Sequence, residues 1–496
     1  MTELRVAAVD LGATSGRVMA ATVAVGDGDD RLEISEVHRF PNAPVSVGGS
    51  LRWDVVGIYR EVLAGLREVV RTGPLDSIGI DSWAIDYGLL DRDGELLGTP
   101  YSYRDRRTDG VLEEVAKIVP AEEAYAITGL QQLPFTTIYQ LVAARGSAAL
   151  EAATTVLLLP DLLGYWLTGV AGAERTNAST TGLYDVVERE WSVALAERVG
   201  IPPRLLPPLR EPGDSIGEVA PQVASELALD ASVPVIAVGS HDTASAVVGV
   251  PAEGASFAYI SSGTWSLVGL ELGEPVLTAA ARAADFTNET GVDGTVRFLK
   301  NVMGLWVLSE CLRAWQTEGE VADLSTVLDG AAQSPGLRTV IDIDDDVLLQ
   351  PSTQADPMPQ RVVALARRAG EPVPESPAAL TRCILDSLAL AYRRHVRTAG
   401  ELADSSVDVV HVVGGGSQNE LLCQLTADAC GLPVLAGPAE AAALGNVLVQ
   451  ARALGADLPD LAAMRALVRR THELRRHEPR HGLDWAAAEA RLHLAR

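Results

Sequence analysis

Apolar and polar positions divide the chain into a strand-rich opening, a helical middle and a second strand-rich half. Residues 4–10 form a nearly continuous apolar run, which predicts a strand buried on both faces. Two further strands are predicted at 17–25 and 31–40, joined through the polar turn GDGDD. Helical spacing over 53–70, with Asp54 as N-cap, predicts a helix, and a strand follows at 76–83. YGLLDRDGELLG (87–98) predicts a hairpin turning at Asp93-Gly94. The proline-rich stretch 200–213 predicts surface loop.

The opening pattern recurs. FAYISSGTWSLVGLEL (257–272) reads as strand, hydroxyl-rich turn, strand, and 407–431 reads as strand, glycine turn, helix. Such repetition predicts a duplicated α/β unit with a cleft between the halves. The expected divisions are 1–245, 246–455 and a tail of 456–496. In that tail, Pro479 breaks the helix that would align His477 with His481, so a solvated segment is expected rather than a metal site.

At 496 residues, two domains are expected. The formal charge of −26 repels phosphate backbones and anionic lipid, so neither nucleic acid nor membrane is an expected partner. The start lacks the features of a signal peptide, and the four cysteines form no CxxC pair, so a reducing cytoplasm is the expected location. Only two of the 40 basic residues, Lys117 and Lys300, are lysine. Neither stands in Gly-Lys-Ser/Thr, so a nucleotide would bind without a P-loop.

Three places carry candidate chemistry. In DLGATSGR, the small residues Gly12, Ala13, Thr14, Ser15 and Gly16 leave backbone N–H groups uncrowded, which suits an anion. Asp10 beside such a turn makes sense if Mg²⁺ sits between carboxylate and phosphate; a plain tight turn is the other reading. SSGT (261–264) occupies the same place in the second half. The strand leading into Ser240-His241-Asp242 ends in a carboxylate that either caps a helix starting at Thr243 or takes a proton from a substrate hydroxyl. In GIDSWAIDYG, Asp81, Trp83 and Asp86 either bind a polyol or form a core tryptophan with a turn aspartate. VGGGSQN (413–419) follows a strand but lacks G-x-G-x-x-G, which argues against a dinucleotide fold.

AVDLGATSGRVM, IGIDSWAIDYGLL, YRDRRTDG, LPFTTIYQL, NASTTGL, GSHDTASAV, YISSGTWSLVG, LKNVMGLWVL and VVGGGSQN occur in an order that resembles the FGGY carbohydrate kinases. The likeness covers about residues 5–450 and is nearest the branch acting on L-rhamnulose. It implies two ribonuclease H-like domains of the actin/hexokinase type around a central cleft. It also implies ATP-dependent phosphorylation of L-rhamnulose, with Mg²⁺, at the primary hydroxyl. By motif, Asp242 resembles the proton acceptor, with His241, Thr243, Ala84, Asp86 and Asn301 on the sugar. Asp10 resembles the magnesium-water ligand, Ala13 to Arg17 (with Thr14, Ser15 and Gly16) the first ATP loop, and Thr264, Ser309 and Gly415 further nucleotide contacts. Ala84 stands where relatives often carry Gly, and Ser309 where they often carry Gln. The first departure leaves L-fuculose or L-xylulose as alternative substrates. An ATP-binding switch on the same fold is the alternative of another class.

Overall fold

The computed structural model describes residues 3–494 apart from 27–29, 320–322, 350–351 and 354, so the core of the expected GDGDD turn lies outside the described residues. The chain divides into two compact units, each assembled from separate stretches. The first comprises Met1–Pro251, Glu271–Phe298 and Ala441–His472; the second comprises Ala252–Leu270, Leu299–Glu440 and Glu473–Arg496. The expected spans 246–455 and 456–496 are thus each shared between units.

Six strands form the first sheet: β1 (Leu4–Leu11), β2 (Ser15–Ala24), β3 (Arg31–Pro41), β4 (Ser77–Ser82), β5 (Ser215–Glu218) and β6 (Pro234–Ile236), in the order β5-β6-β4-β1-β2-β3. β1, β2 and β3 run antiparallel, while β4 lies parallel to both β1 and β6. The register sets Asp10 beside Asp81 at the strand ends. Alternate β1 residues serve two cores, as the two-residue period requires. Ala7, Val9 and Leu11 pack with helix α1 (Val55–Arg71), while Val6 and Ala8 pack with residues Leu444, Val447 and Leu448 from far along the chain. Asp54 caps α1, its Oδ1 accepting from Gly57 N at 3.0 Å.

The second sheet comprises β7 (Phe257–Ser262), β8 (Ser266–Leu272), β9 (Thr287–Thr290), β10 (Val296–Val302), β11 (Val409–Val413), β12 (Val434–Ala436) and β13 (Arg475–His477), in the order β9-β10-β8-β7-β11-β12-β13. β7 and β8 are antiparallel, and β11 runs parallel to β7 and β12. The run β10-β8-β7-β11-β12 therefore repeats β3-β2-β1-β4-β6, which is the duplication expected from sequence.

Two local expectations are corrected and one is refined. Residues 87–98 turn back at Asp93-Gly94 as expected, with Asp91 N donating to Glu95 O at 3.0 Å and Leu97 N to Leu89 O at 2.8 Å, but the arms share a single bridge, Leu90 to Leu96, and Tyr87–Leu90 pairs as a strand with Thr155–Leu158. A turn of four polar residues holds that bridge but supplies too few cross-strand contacts for a ladder. The proline-rich stretch contains a short strand, Leu209–Arg210, paired with Ala173–Glu174. The tail contributes β13 to the second sheet, then a helix at Trp485–Leu494.

Candidate active site

In the first unit the candidate residues gather at strand ends. The β1–β2 turn is braced from outside: Asn42 N donates to Thr14 O at 3.0 Å and Asn42 Nδ2 to Gly12 O at 2.8 Å, while Gly12 N donates to Ser15 O at 2.9 Å. The Gly12, Thr14 and Ser15 carbonyls are engaged, and among the described residues the N–H groups of Ala13 and Thr14 have no acceptor, which is the donor arrangement an anion needs. Gly16 has a packing reason as well, since a Cβ there would lie 2.2 Å from the Phe40 ring. Arg17 pairs with Asp10 at 2.5 Å, and their side chains are 20% and 7% exposed.

Three carboxylates feel one another here. Asp81 is fully buried; its Oδ2 accepts from Asn446 Nδ2 at 2.6 Å, and among the described residues its Oδ1 has no partner. Burial, with the Asp10 charge added, pushes its carboxyl well above the usual range. Burial also raises Asp242; His241 opposes the rise and Asp10 reinforces it. Such mutual repulsion fits a cation nearby. Among the described residues no three ligating side chains cluster to hold an ion. A magnesium ion at Asp10 would therefore depend on water and phosphate oxygens for most of its ligands, as Mg²⁺ commonly does.

The helix after β6, α2 (Asp242–Val248), begins one residue earlier than expected. His241 is its N-cap residue, so Asp242 lies inside the first turn and makes no cap. That frees the carboxylate: Oδ1 accepts from Thr243 Oγ1 at 3.0 Å, and the side chain keeps 34% exposure. Glu174 fixes the approach to this turn. It is buried and accepts from Ser240 N at 2.9 Å, Ser240 Oγ at 2.8 Å and Thr176 Oγ1 at 2.6 Å. Glu174 escaped the sequence reading; its one signal was a carboxylate bordering the small polar run NASTTGL.

Ala84 and Asp86 flank Ile85, a β-branched residue at φ 69° in a three-residue turn closed by Asp86 N donating to Ala84 O at 2.9 Å. That conformation is strained and has to be held by its surroundings. Thr137 Oγ1 donates to Ile85 O at 2.7 Å. Asp86, 1% exposed, accepts from Trp53 Nε1 (2.6 Å), Trp83 Nε1 (3.1 Å), Tyr103 N (3.1 Å) and Gln140 Nε2 (2.9 Å). Trp83 packs against Trp53 with the rings tilted by 46° and centroids 4.5 Å apart and is buried, so of the two sequence readings the core tryptophan is the one observed. Ala84 itself is partly exposed.

The remaining candidates lie in the second unit. Thr264 occupies the β7–β8 turn, where Gly263 N donates to Trp265 O at 2.8 Å and Trp306 N donates to Thr264 O at 3.0 Å. Gly304, at φ 61°, allows that close approach; a Cβ there would lie 2.6 Å from Thr264 O. Asn301 is partly exposed on β10, and Ser309 is exposed on helix α3 (Trp306–Glu318). The three glycines after β11 differ in purpose. A Cβ on Gly414 or Gly416 would strike Ser262, whereas one on Gly415 would meet open space.

The sequence matches two patterns over nearly its whole length: the FGGY family of carbohydrate kinases, N-terminal domain, over residues 6–249, and the C-terminal domain of that family over 258–454. The chain belongs to the FGGY family of carbohydrate kinases. It is 44% identical over 484 residues to the rhamnulokinase of Pectobacterium carotovorum subsp. carotovorum, covering 97% of this chain and 94% of that one. It is 42% identical to the rhamnulokinase of Bacteroides thetaiotaomicron, covering 97% of each. Among solved structures, gluconate kinase from Lactobacillus acidophilus matches at TM-score 0.78 and 16% identity, covering 100% of this chain and 96% of that one. Plasmodium falciparum glycerol kinase with ADP matches at 0.76 and 14%, covering 98% and 96%. The fold is thus the two-domain α/β architecture of the sugar kinases.

Proposed function

We propose that this chain transfers the γ-phosphoryl group of ATP to the primary hydroxyl of L-rhamnulose, giving L-rhamnulose 1-phosphate and ADP. The observation that carries the reading is Asp242, a carboxylate released from helix capping and still 34% exposed. A hydroxyl becomes a competent nucleophile as its proton leaves, and a carboxylate whose pKa is lifted by burial accepts that proton more readily. The N–H groups of Ala13 and Thr14, the hydroxyls of Thr14 and Ser15 and the Arg17 guanidinium supply donors for phosphate. Thr264, Ser309 and Gly415 are assigned to the nucleotide. His241, Thr243, Ala84 and Asn301 are assigned to the sugar, with Asp86 holding the Ala84 turn in place. Asp10 would hold a magnesium ion through water; the ion supplies charge neutralisation at the phosphates. The buried thiols of Cys311, Cys383 and Cys423 suit a cytoplasmic setting.

The test is ADP release by purified protein with ATP and Mg²⁺ across a panel of L-rhamnulose, L-fuculose and L-xylulose. L-Rhamnulose should give the highest kcat/KM. Preference for another ketose would move the assignment to that sugar, and sugar-independent hydrolysis would favour a nucleotide-driven switch. Asp242→Asn should lower kcat by about 10²–10⁴-fold while leaving ATP affinity nearly unchanged.

A further inference from the structure

Behind His241 lies a buried ionic cluster that no candidate role above uses. Arg297, on β10, is fully buried within the first unit. Its Nε donates to Thr290 O at 3.3 Å, and its Nη2 to Thr290 O at 3.2 Å and Thr176 O at 3.4 Å. Its Nη1 lies 3.1 Å from His241 Nδ1 and 2.9 Å from Glu289 Oε2. Glu289 Oε2 is in turn 3.1 Å from His241 Nδ1. On the other side of the ring, His241 Nε2 lies 3.5 Å from Asp242 Oδ1.

A guanidinium has no acceptor and never gives up its proton in a protein. Glu289 Oε2 lies as near to Nδ1 but forms no hydrogen bond among the described residues, whereas Arg297 Nη1 does bond to Nδ1, and facing that donor Nδ1 is the acceptor. The ring proton then belongs on Nε2, the nitrogen that faces Asp242. Glu289 balances the guanidinium charge, and the Arg297 guanidinium draws its carboxyl below the usual range against the pull of burial.

We propose that Arg297, neutralised by Glu289, is a positioning residue that fixes His241 as the Nε2–H tautomer and aims that donor at Oδ1 of the catalytic aspartate. Oδ1 then carries both protein contacts, from His241 and from Thr243, and Oδ2 is the oxygen presented to the substrate hydroxyl. The inference rests on Asp242 being the base of the proposed kinase, but its central claim concerns a proton position and has its own readout.

Long-range ¹H–¹⁵N correlation spectra of protein labelled at histidine, with His241→Asn identifying the signal, report which ring nitrogen carries the proton. The wild type should show Nε2 protonated and Nδ1 bare. Arg297→Lys keeps the charge and loses the fork; it should mix the tautomers and lower kcat roughly 10–100-fold, by analogy with other outer partners of functional histidines. KM for ATP should stay within about twofold. A wild-type Nδ1–H tautomer overturns the proposal, and that spectrum decides it whether or not any variant folds. Unchanged kcat in an Arg297→Lys protein with mixed tautomers also overturns it. If the tautomer is as stated but no sugar drives ADP release, the kinase reading fails and the tautomer assignment stands.

Discussion

At the scale of single residues, the same residue type serves different ends within a few positions. Gly415→Ala should leave the melting temperature unchanged and raise KM for ATP, because its Cβ enters open space where the nucleotide is proposed to lie. Gly416→Ala should destabilise the protein by about 1–3 kcal/mol through the clash with Ser262, measured by urea unfolding. Asp86 is a second case. All four of its partners are N–H donors, so Asp86→Asn turns an acceptor into a donor facing donors and should cost roughly 1–3 kcal/mol at pH 7. Burial raises the Asp86 carboxyl to about 6. The folded state therefore binds more protons than the unfolded one between about pH 4 and that value, and this residue's contribution to stability declines as pH rises through the window. The gap between wild type and Asp86→Asn should widen as pH falls through about 6. In activity, the raised Asp242 carboxyl places the acid limb of kcat/KM above the ordinary aspartate value of about 3.9.

At the scale of elements, helix α2 is held by close backbone contact with a helix distant in sequence, Ala441–Ala453. A Cβ on Gly445 of that helix would lie 1.8 Å from Ser245 O, and one on Gly249 would lie 2.4 Å from Ala441 O. A buried polar chain ties the same helix to the sheet: Asn446 Nδ2 donates to Asp81, Gln450 Nε2 to Asn446 Oδ1 at 2.6 Å, and Ser77 Oγ to Gln450 Oε1 at 2.7 Å. Gly445→Ala should therefore lower both thermal stability and kcat, since α2 carries Asp242; calorimetry and steady-state kinetics check the pair. The strands and α1 were legible because each follows a two- or 3.6-residue period that its own segment satisfies. The start of α2 was misplaced because His241-Asp242-Thr243 offers two plausible caps, and Glu174, distant in sequence, decides between them by fixing Ser240. Arg297 left only a faint trace, a charge within the apolar strand VRFL whose partners lie elsewhere in the chain.

At the scale of the whole molecule, the net charge of −26 opposes compaction, so thermal stability should rise with salt between low and physiological ionic strength. A ketose that binds the folded state should raise the melting temperature further; at a hundred times its Kd the gain is about 2.7 kcal/mol. The threading of the chain has a consequence of its own. The helix that braces the Asp242 turn comes from 441–453, and the rest of that return stretch runs to His472. During synthesis, the nascent first unit waits on the ribosome with one face of its sheet bare until residues 441–453 have been made. A premature stop anywhere before that point yields not a smaller half-enzyme but an unfinished one, with apolar β1 and α2 surfaces open to chaperones and proteases.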